Sequence, residues 1–78
     1  MTILYFAHAR HAAGCDQEKL VLSEPVSATT LWDKLIELHP ELAALRASSR
    51  FARDNEFIAA DSTLFPEDEI AVIPPVSG

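Results

Sequence analysis

Asp68-Glu69-Ile70-Ala71-Val72-Ile73-Pro74-Pro75-Val76-Ser77-Gly78 is the stretch whose reading decides the fold. Ile70 to Ile73 put apolar side chains on both faces of an extended chain, the pattern of a strand interior to a sheet. Pro74 and Pro75 stop that strand, because proline cannot donate to a ladder and holds φ near −65°. Three small, uncharged residues follow, and the sequence closes on Gly78. Residues 74–78 therefore read as an extended C-terminal tail with a reach of at most about 16 Å, at roughly 3.3 Å per residue. The stiff diproline lowers the entropy lost when such a tail enters a partner's pocket. Composition alone also permits the plainer reading of a loose end after a last strand.

Working outward, 78 residues make one domain, residues 1–78, and the short length keeps its stability marginal. A hydrophobic fraction of 49% is that of a folded domain. Twelve acids against six bases give a net charge of −6, and no Lys/Arg cluster is present. That excludes nucleic acid as an expected partner and favours a protein with a basic docking surface. No segment has the length and apolarity of a signal peptide or a membrane span. A single cysteine, Cys15, cannot close an internal disulfide, so the expected compartment is the cytoplasm.

Thr2 to Ala7 (TILYFA) is β-branched, aromatic and apolar on both faces, and predicts a strand. His8 to Glu18, with Gly14, Asp16 and Gln17, reads as a loop, and Lys19 to Ser23 (KLVLS) as the returning strand with Leu20 and Leu22 on one face. Ser27 is the expected N-cap of a helix whose stripe is Ala28, Leu31, Trp32, Leu35 and Leu38. Pro40 ends it and starts a second short helix, Glu41 to Ala47, with Leu42 and Leu45 inward. Phe51 to Arg53 and Glu56 to Ala59 form a hairpin about Asp54-Asn55, a pair that tolerates positive φ. Asp61 to Asp68 is a turn-rich connection with Leu64 tucked beneath it.

DEIAVIPPVSG resembles the C-terminal signature of the small, sulfur-carrying subunit of molybdopterin synthase (the MoaD type). That family belongs to the ubiquitin-like β-grasp proteins and ends in PPV-Ser/Thr-Gly-Gly, where this sequence has one final glycine. FAHAR with Gly14 is similar to the family's first strand and loop at Phe6, Arg10 and Gly14, although His11 stands where an acid is usual. Glu56 and Phe57 match a hairpin motif in which Asp54 replaces an asparagine. The likeness runs along nearly the whole chain, but only the last dozen residues are specific.

The resemblance implies an α+β, ubiquitin-like β-grasp fold, with a mixed four- to five-stranded sheet packed on one main helix plus a short helix. It implies a sulfur carrier in molybdenum cofactor biosynthesis, itself no catalyst but the protein cosubstrate of a sulfurtransferase. The Gly78 carboxylate would be adenylated by an E1-like enzyme that uses ATP, then converted to a thiocarboxylate with sulfur from a donor protein. Pro74, Pro75, Val76 and Ser77 would carry it into the large catalytic subunit of molybdopterin synthase, within a heterotetramer. There the sulfur passes to cyclic pyranopterin monophosphate. Phe6, Phe57 and Ile73 would form the apolar patch pressed against partners, with Arg10 at its rim. Where Ile73 stands, the family has an aromatic.

Two further readings stay open: a ubiquitin-like interaction module that is never thiolated, and a carrier for another thio-cofactor such as thiamin. The PPV-Ser/Thr-Gly ending separates the latter from the first reading. No cofactor is expected on the chain itself. His8, His11 and Cys15 offer metal-ligand chemistry but no paired spacing and no fourth donor, so no metal site is read from them. Cys15, with Arg10 as its one nearby cation, reads as an ordinary loop thiol. Glu67, Asp68 and Glu69 are expected beside the emerging tail, as a solvated turn or as a run that steers a basic partner. No nucleophile elbow, phosphate loop or carboxylate pair is present.

Overall fold

The computed structural model describes residues 1–75, so the expectations for Val76, Ser77 and Gly78 lie outside the described residues. In chain order come β1 (Thr2–Tyr5), α1 (His8–Ala13), β2 (Gln17–Lys19), β3 (Val26–Ser27) and α2 (Ala28–Leu38). A 3₁₀ helix (Pro40–Leu45), β4 (Arg50–Arg53), β5 (Glu56–Phe57), β6 (Thr63–Leu64) and β7 (Glu69–Ile73) follow. Five strands make one mixed sheet in the order β2-β1-β7-β4-β5, while β3 and β6 form a separate pair. This is the α+β, ubiquitin-like β-grasp arrangement.

The doubly apolar β7 lies at the centre of the sheet, where both its edges are paired. It runs parallel to β1, Ile3 opposite Ile70 and Tyr5 opposite Val72. It runs antiparallel to β4, Phe51 opposite Val72. One face of these strands carries Ile3, Tyr5, Phe51, Ile70 and Val72, which are buried with Leu31, Trp32 and Leu35 of α2 and with Leu42 and Leu64. Trp32 stacks on Phe51 at 4.5 Å between ring centroids. Burying each large side chain here contributes about 1.5–3 kcal/mol, the main term holding the fold together.

Helix α2 forms as its pattern dictates. Its N-cap is Ser27, whose Oγ accepts the Thr30 N–H at 3.1 Å, and Pro40 follows its C-cap, His39. Leu38 departs from the stripe and is 53% exposed at the last turn of the helix. The second helix is a 3₁₀ turn starting at Pro40 itself; Leu42 is buried and Leu45 only partly. The 54–55 hairpin is as expected, with both residues at positive φ (54° and 67°), as a two-residue turn requires. Its second arm stops at Phe57 instead of Ala59.

Three expectations near the N-terminus are corrected. The first strand ends at Tyr5, because Ala7 turns to φ 49° and starts a helix. His8–Ala13 is that helix and not a loop. Ala9 and Ala13 bury against the core, and Gly14, at φ 76°, closes the last turn by donating its N–H to the Arg10 carbonyl at 2.9 Å. The returning strand is Gln17–Lys19, earlier than the apolar Lys19–Ser23 segment, and Val21 is 95% exposed. Backbone pairing decided this register: Thr2 faces Lys19, Ile3 faces Glu18 and Leu4 faces Gln17.

Candidate functional site

Among the described residues no helix lies over the sheet's second face. In-register pairing lines up one cross-strand row there, Leu4 beside Ala71, Ala71 beside Ala52, and Ala52 beside Phe57. Two alanines in the middle leave a floor lower than its edges. The result is a groove of about 480 Å³ whose lining includes Leu4, Phe6, Ala52, Phe57, Ala71 and Ile73. Phe6 is 47% exposed and Phe57 55% exposed, so both rings are available to a partner and neither is core filling.

Phe6, Phe57 and Ile73, named from sequence, are thus brought together. Because β1 and β7 are parallel, Phe6 follows the end of β1 at the same end of the sheet where Ile73 passes into Pro74 and Pro75. Pro74 is buried and Pro75 exposed, so the chain leaves the body between them. Arg10 is exposed on α1 and does not line the groove. Sequence reasoning missed Arg50, which pairs with Ile73 across the β4–β7 ladder and lays its guanidinium 4.4 Å over the Phe57 ring. It also missed the floor residues Leu4, Ala52 and Ala71. The available signal was that two strands apolar on both faces, in a chain with one long helix, leave one face uncovered.

The acidic run does not sit at the end of β7 from which the chain leaves the sheet. Glu69 begins β7 and Ile73 ends it, a separation of about 13 Å at ~3.3 Å per residue. Asp68 is half-buried, pairing with Arg53 at 2.9 Å and accepting the Phe65 N–H at 2.9 Å. It secures the turn before β7 and is not a free steering charge. Glu67 and Glu69 remain exposed, Glu69 on the groove's far lip.

Cys15 lies apart from the groove. Partial burial, then the carboxylates of Glu18 and Asp16, push its thiol above the ordinary value, so it is not an activated nucleophile at neutral pH. Beside it, Glu18 accepts hydrogen bonds from Tyr5 Oη and from His39 Nε2 (2.7 Å). Burial and the Glu18 carboxylate raise the Tyr5 phenol well above its usual range. His8 and His11 are exposed on α1. Among the described residues no helix is long and apolar enough to cross a membrane.

Residues 3–78 match the family model described as ThiS family. The chain is 37% identical to the molybdopterin synthase sulfur carrier subunit of Homo sapiens, covering 97% of this chain and 90% of that protein. It is 32% identical to the subunit of the same name from Chlamydomonas reinhardtii, covering 97% and 94%. Among solved structures, the putative molybdopterin converting factor subunit 1 of Pyrococcus furiosus superposes with a TM-score of 0.83 at 25% identity, over 96% of this chain and 95% of that one. SAMP1 from Haloferax volcanii gives 0.84 at 24% identity over 100% and 97%, a likeness of fold.

Proposed function

The chain belongs to the ThiS family, and from that premise we propose that it is the sulfur carrier subunit of a molybdopterin synthase. The observation that carries the reading is spatial: an uncovered groove with Phe6, Phe57 and Ile73 in its lining reaches the end of the sheet where the central strand runs into Pro74 and Pro75. Docking surface and emerging tail are built on one strand, so a partner that grips the groove receives the tail in a fixed direction.

A carboxylate is a weak electrophile until it is activated. An E1-like partner would join the Gly78 carboxylate to the AMP moiety of ATP and release pyrophosphate. Sulfide equivalents from a donor protein then displace AMP and leave a thiocarboxylate. Glycine suits the position, since without Cβ it threads a narrow channel and adopts whichever φ the partner requires. Pro74, Pro75, Val76 and Ser77 lead it into the large catalytic subunit. There sulfur is transferred to cyclic pyranopterin monophosphate, two carriers serving each product because two sulfurs are needed. The assembly would be a heterotetramer, one carrier at each end of a dimer of large subunits. ATP is consumed on the activating partner and not held by this chain. Cys15, a free thiol, fits a reducing cytoplasm.

In the groove, Phe57 and Phe6 act as anchors and Ile73 as the floor nearest the tail, with Arg10 beyond the rim. Intact mass spectrometry of the native protein tests the carrier role after incubation with the adenylating enzyme, ATP and a sulfur donor. The expected product is heavier by the exchange of one oxygen for sulfur, and loses that sulfur when the large subunit and its substrate are added. A mass that never changes would overturn the carrier role and leave an interaction module.

A further inference from the structure

The fold assembles a donor set that linear sequence does not display. Cys15 from the α1–β2 turn, Glu18 from β2 and His39 from the end of α2 each offer one ligand atom, and these atoms all lie within 4.8 Å of one another. All three residues are partly buried. They come from separate elements, so the cluster is a product of tertiary structure. The groups already have aligned partners: His39 Nε2 is 2.7 Å from Glu18 Oε1, and Tyr5 Oη donates to the same oxygen. The Tyr5 and His39 rings meet edge to face at 5.9 Å.

We propose that Cys15 Sγ, Glu18 carboxylate and His39 Nε2 form a binding site for a borderline-soft divalent cation of the Zn²⁺ type. Thiolate, imidazole and carboxylate are the three side-chain ligands that zinc takes. A tetrahedral zinc ion with bonds of about 2.0–2.3 Å puts its ligand atoms roughly 3.3–3.8 Å apart. Nε2 and Oε1 stand 2.7 Å apart and all three ligand atoms lie within 4.8 Å of one another, so the Glu18–His39 pair opens to admit the ion. Binding sends the thiol proton to solvent and leaves Nε2 without its hydrogen, the imidazole proton residing on Nδ1. One thiolate and one carboxylate then neutralise the dication in a half-buried place, where unbalanced charge is costly. The fourth position goes to water.

Tyr5 is the positioning residue. Its hydroxyl holds the carboxylate in orientation, as a hydrogen-bonding group behind a metal ligand does. The ion would join the edge strand β2 and the α1–β2 turn to the C-terminal end of α2. It is a structural clamp, separate from the groove.

The test uses the purified full chain titrated with CoCl₂ and ZnCl₂. Cobalt should give a near-ultraviolet thiolate charge-transfer band and intense tetrahedral visible bands at one equivalent, reversed by zinc. Zinc should raise Tm with concentration, and EDTA should lower it again. Cys15→Ser should erase the charge-transfer band. Tyr5→Phe should weaken zinc by about 10- to 100-fold, and His39→Gln by more than that. The double variant His8→Ala/His11→Ala should bind as the parent does. Absence of a charge-transfer band in the parent protein would overturn the site, whatever the variants do. So would parental affinity in His39→Gln, or loss of binding in the His8/His11 variant. None of these results bears on the carrier role.

Discussion

The two faces of the one sheet are made by the same strands, yet they have opposite fates: one packs its apolar residues into the core, the other mixes an apolar row with Thr2, Lys19, Arg50 and Glu69. On one face Ile3, Tyr5, Phe51, Ile70 and Val72 lie under α2 and the residues packed around it, and all are buried. On the other, Leu4, Ala52, Ala71 and Phe57 run in register across four strands with nothing from the described residues above them. The difference teaches that apolarity says only that a surface needs cover. Among the described residues the long helix covers one face, and on the proposed reading the second is the one a partner covers.

The comparison breaks most visibly on the covered side. Leu35 is fully buried, and Leu35→Ala should cost about 2–5 kcal/mol of stability. In a domain this small that lowers Tm by about 10 °C or more in a circular-dichroism melt. On the uncovered side the expected signature is reversed. Phe57→Ala should melt like the parent, while its binding to the large subunit weakens by about 2 kcal/mol, near thirty-fold in Kd by calorimetry. Equal binding by the two proteins would remove the groove from the account.

A smaller effect sharpens the groove itself. Arg50 sits over the Phe57 ring, and Arg50→Ala should lose about 0.5–1 kcal/mol of partner affinity, the worth of an exposed cation–π contact. Surface plasmon resonance at two salt concentrations would measure it.

A further effect belongs to the covered face, in the pH dependence of its stability. Tyr5 and Cys15 both have values raised in the folded state, so their protonated forms are the native ones. Their contribution is complete below the unfolded values, about 8.5 for a thiol and about 10 for a phenol, and is lost as pH rises beyond them. Urea unfolding across the alkaline range should show stability falling first in the thiol range and then in the phenol range. Cys15→Ser should remove the first decline and Tyr5→Phe the second.

What the sequence made legible follows from where local chemistry dictates the backbone. Prolines after Ile73 marked the end of the central strand. Ser27 and the 3.6-residue stripe marked α2, and Asp54-Asn55 marked a turn that needs positive φ twice. Each of these is decided within a few residues. Helix α1 was not legible, because its buried side is only Ala9 and Ala13, too small to stand out as a stripe. Strand β2 (Gln-Glu-Lys) carries no strand pattern at all and exists because β1 needs an edge partner. The apolar Leu20–Leu22 segment misled for the converse reason: β1's side of the pairing runs out at Met1, which exchanges hydrogen bonds with Leu20 at 2.8 Å, and Val21 and Leu22 beyond it have no partner strand among the described residues.

The site divides in the same way. Phe6, Phe57 and Ile73 were legible through resemblance, and the structure places them on one groove. Arg50 and the alanine floor were not, because they depend on the β4–β7 register. The placement of the acidic run failed on direction: β7 carries Glu69 at one end and the tail at the other.

The division of labour between the two faces is tested most directly by amide chemical-shift mapping of the isotope-labelled carrier as the large subunit is added. Resonances of Leu4, Phe6, Ala52, Phe57, Ala71 and Ile73 should shift or broaden first, while exposed α2 positions such as Thr29, Asp33 and Glu37 stay unmoved. A footprint centred on α2, with the groove unperturbed, would contradict the account.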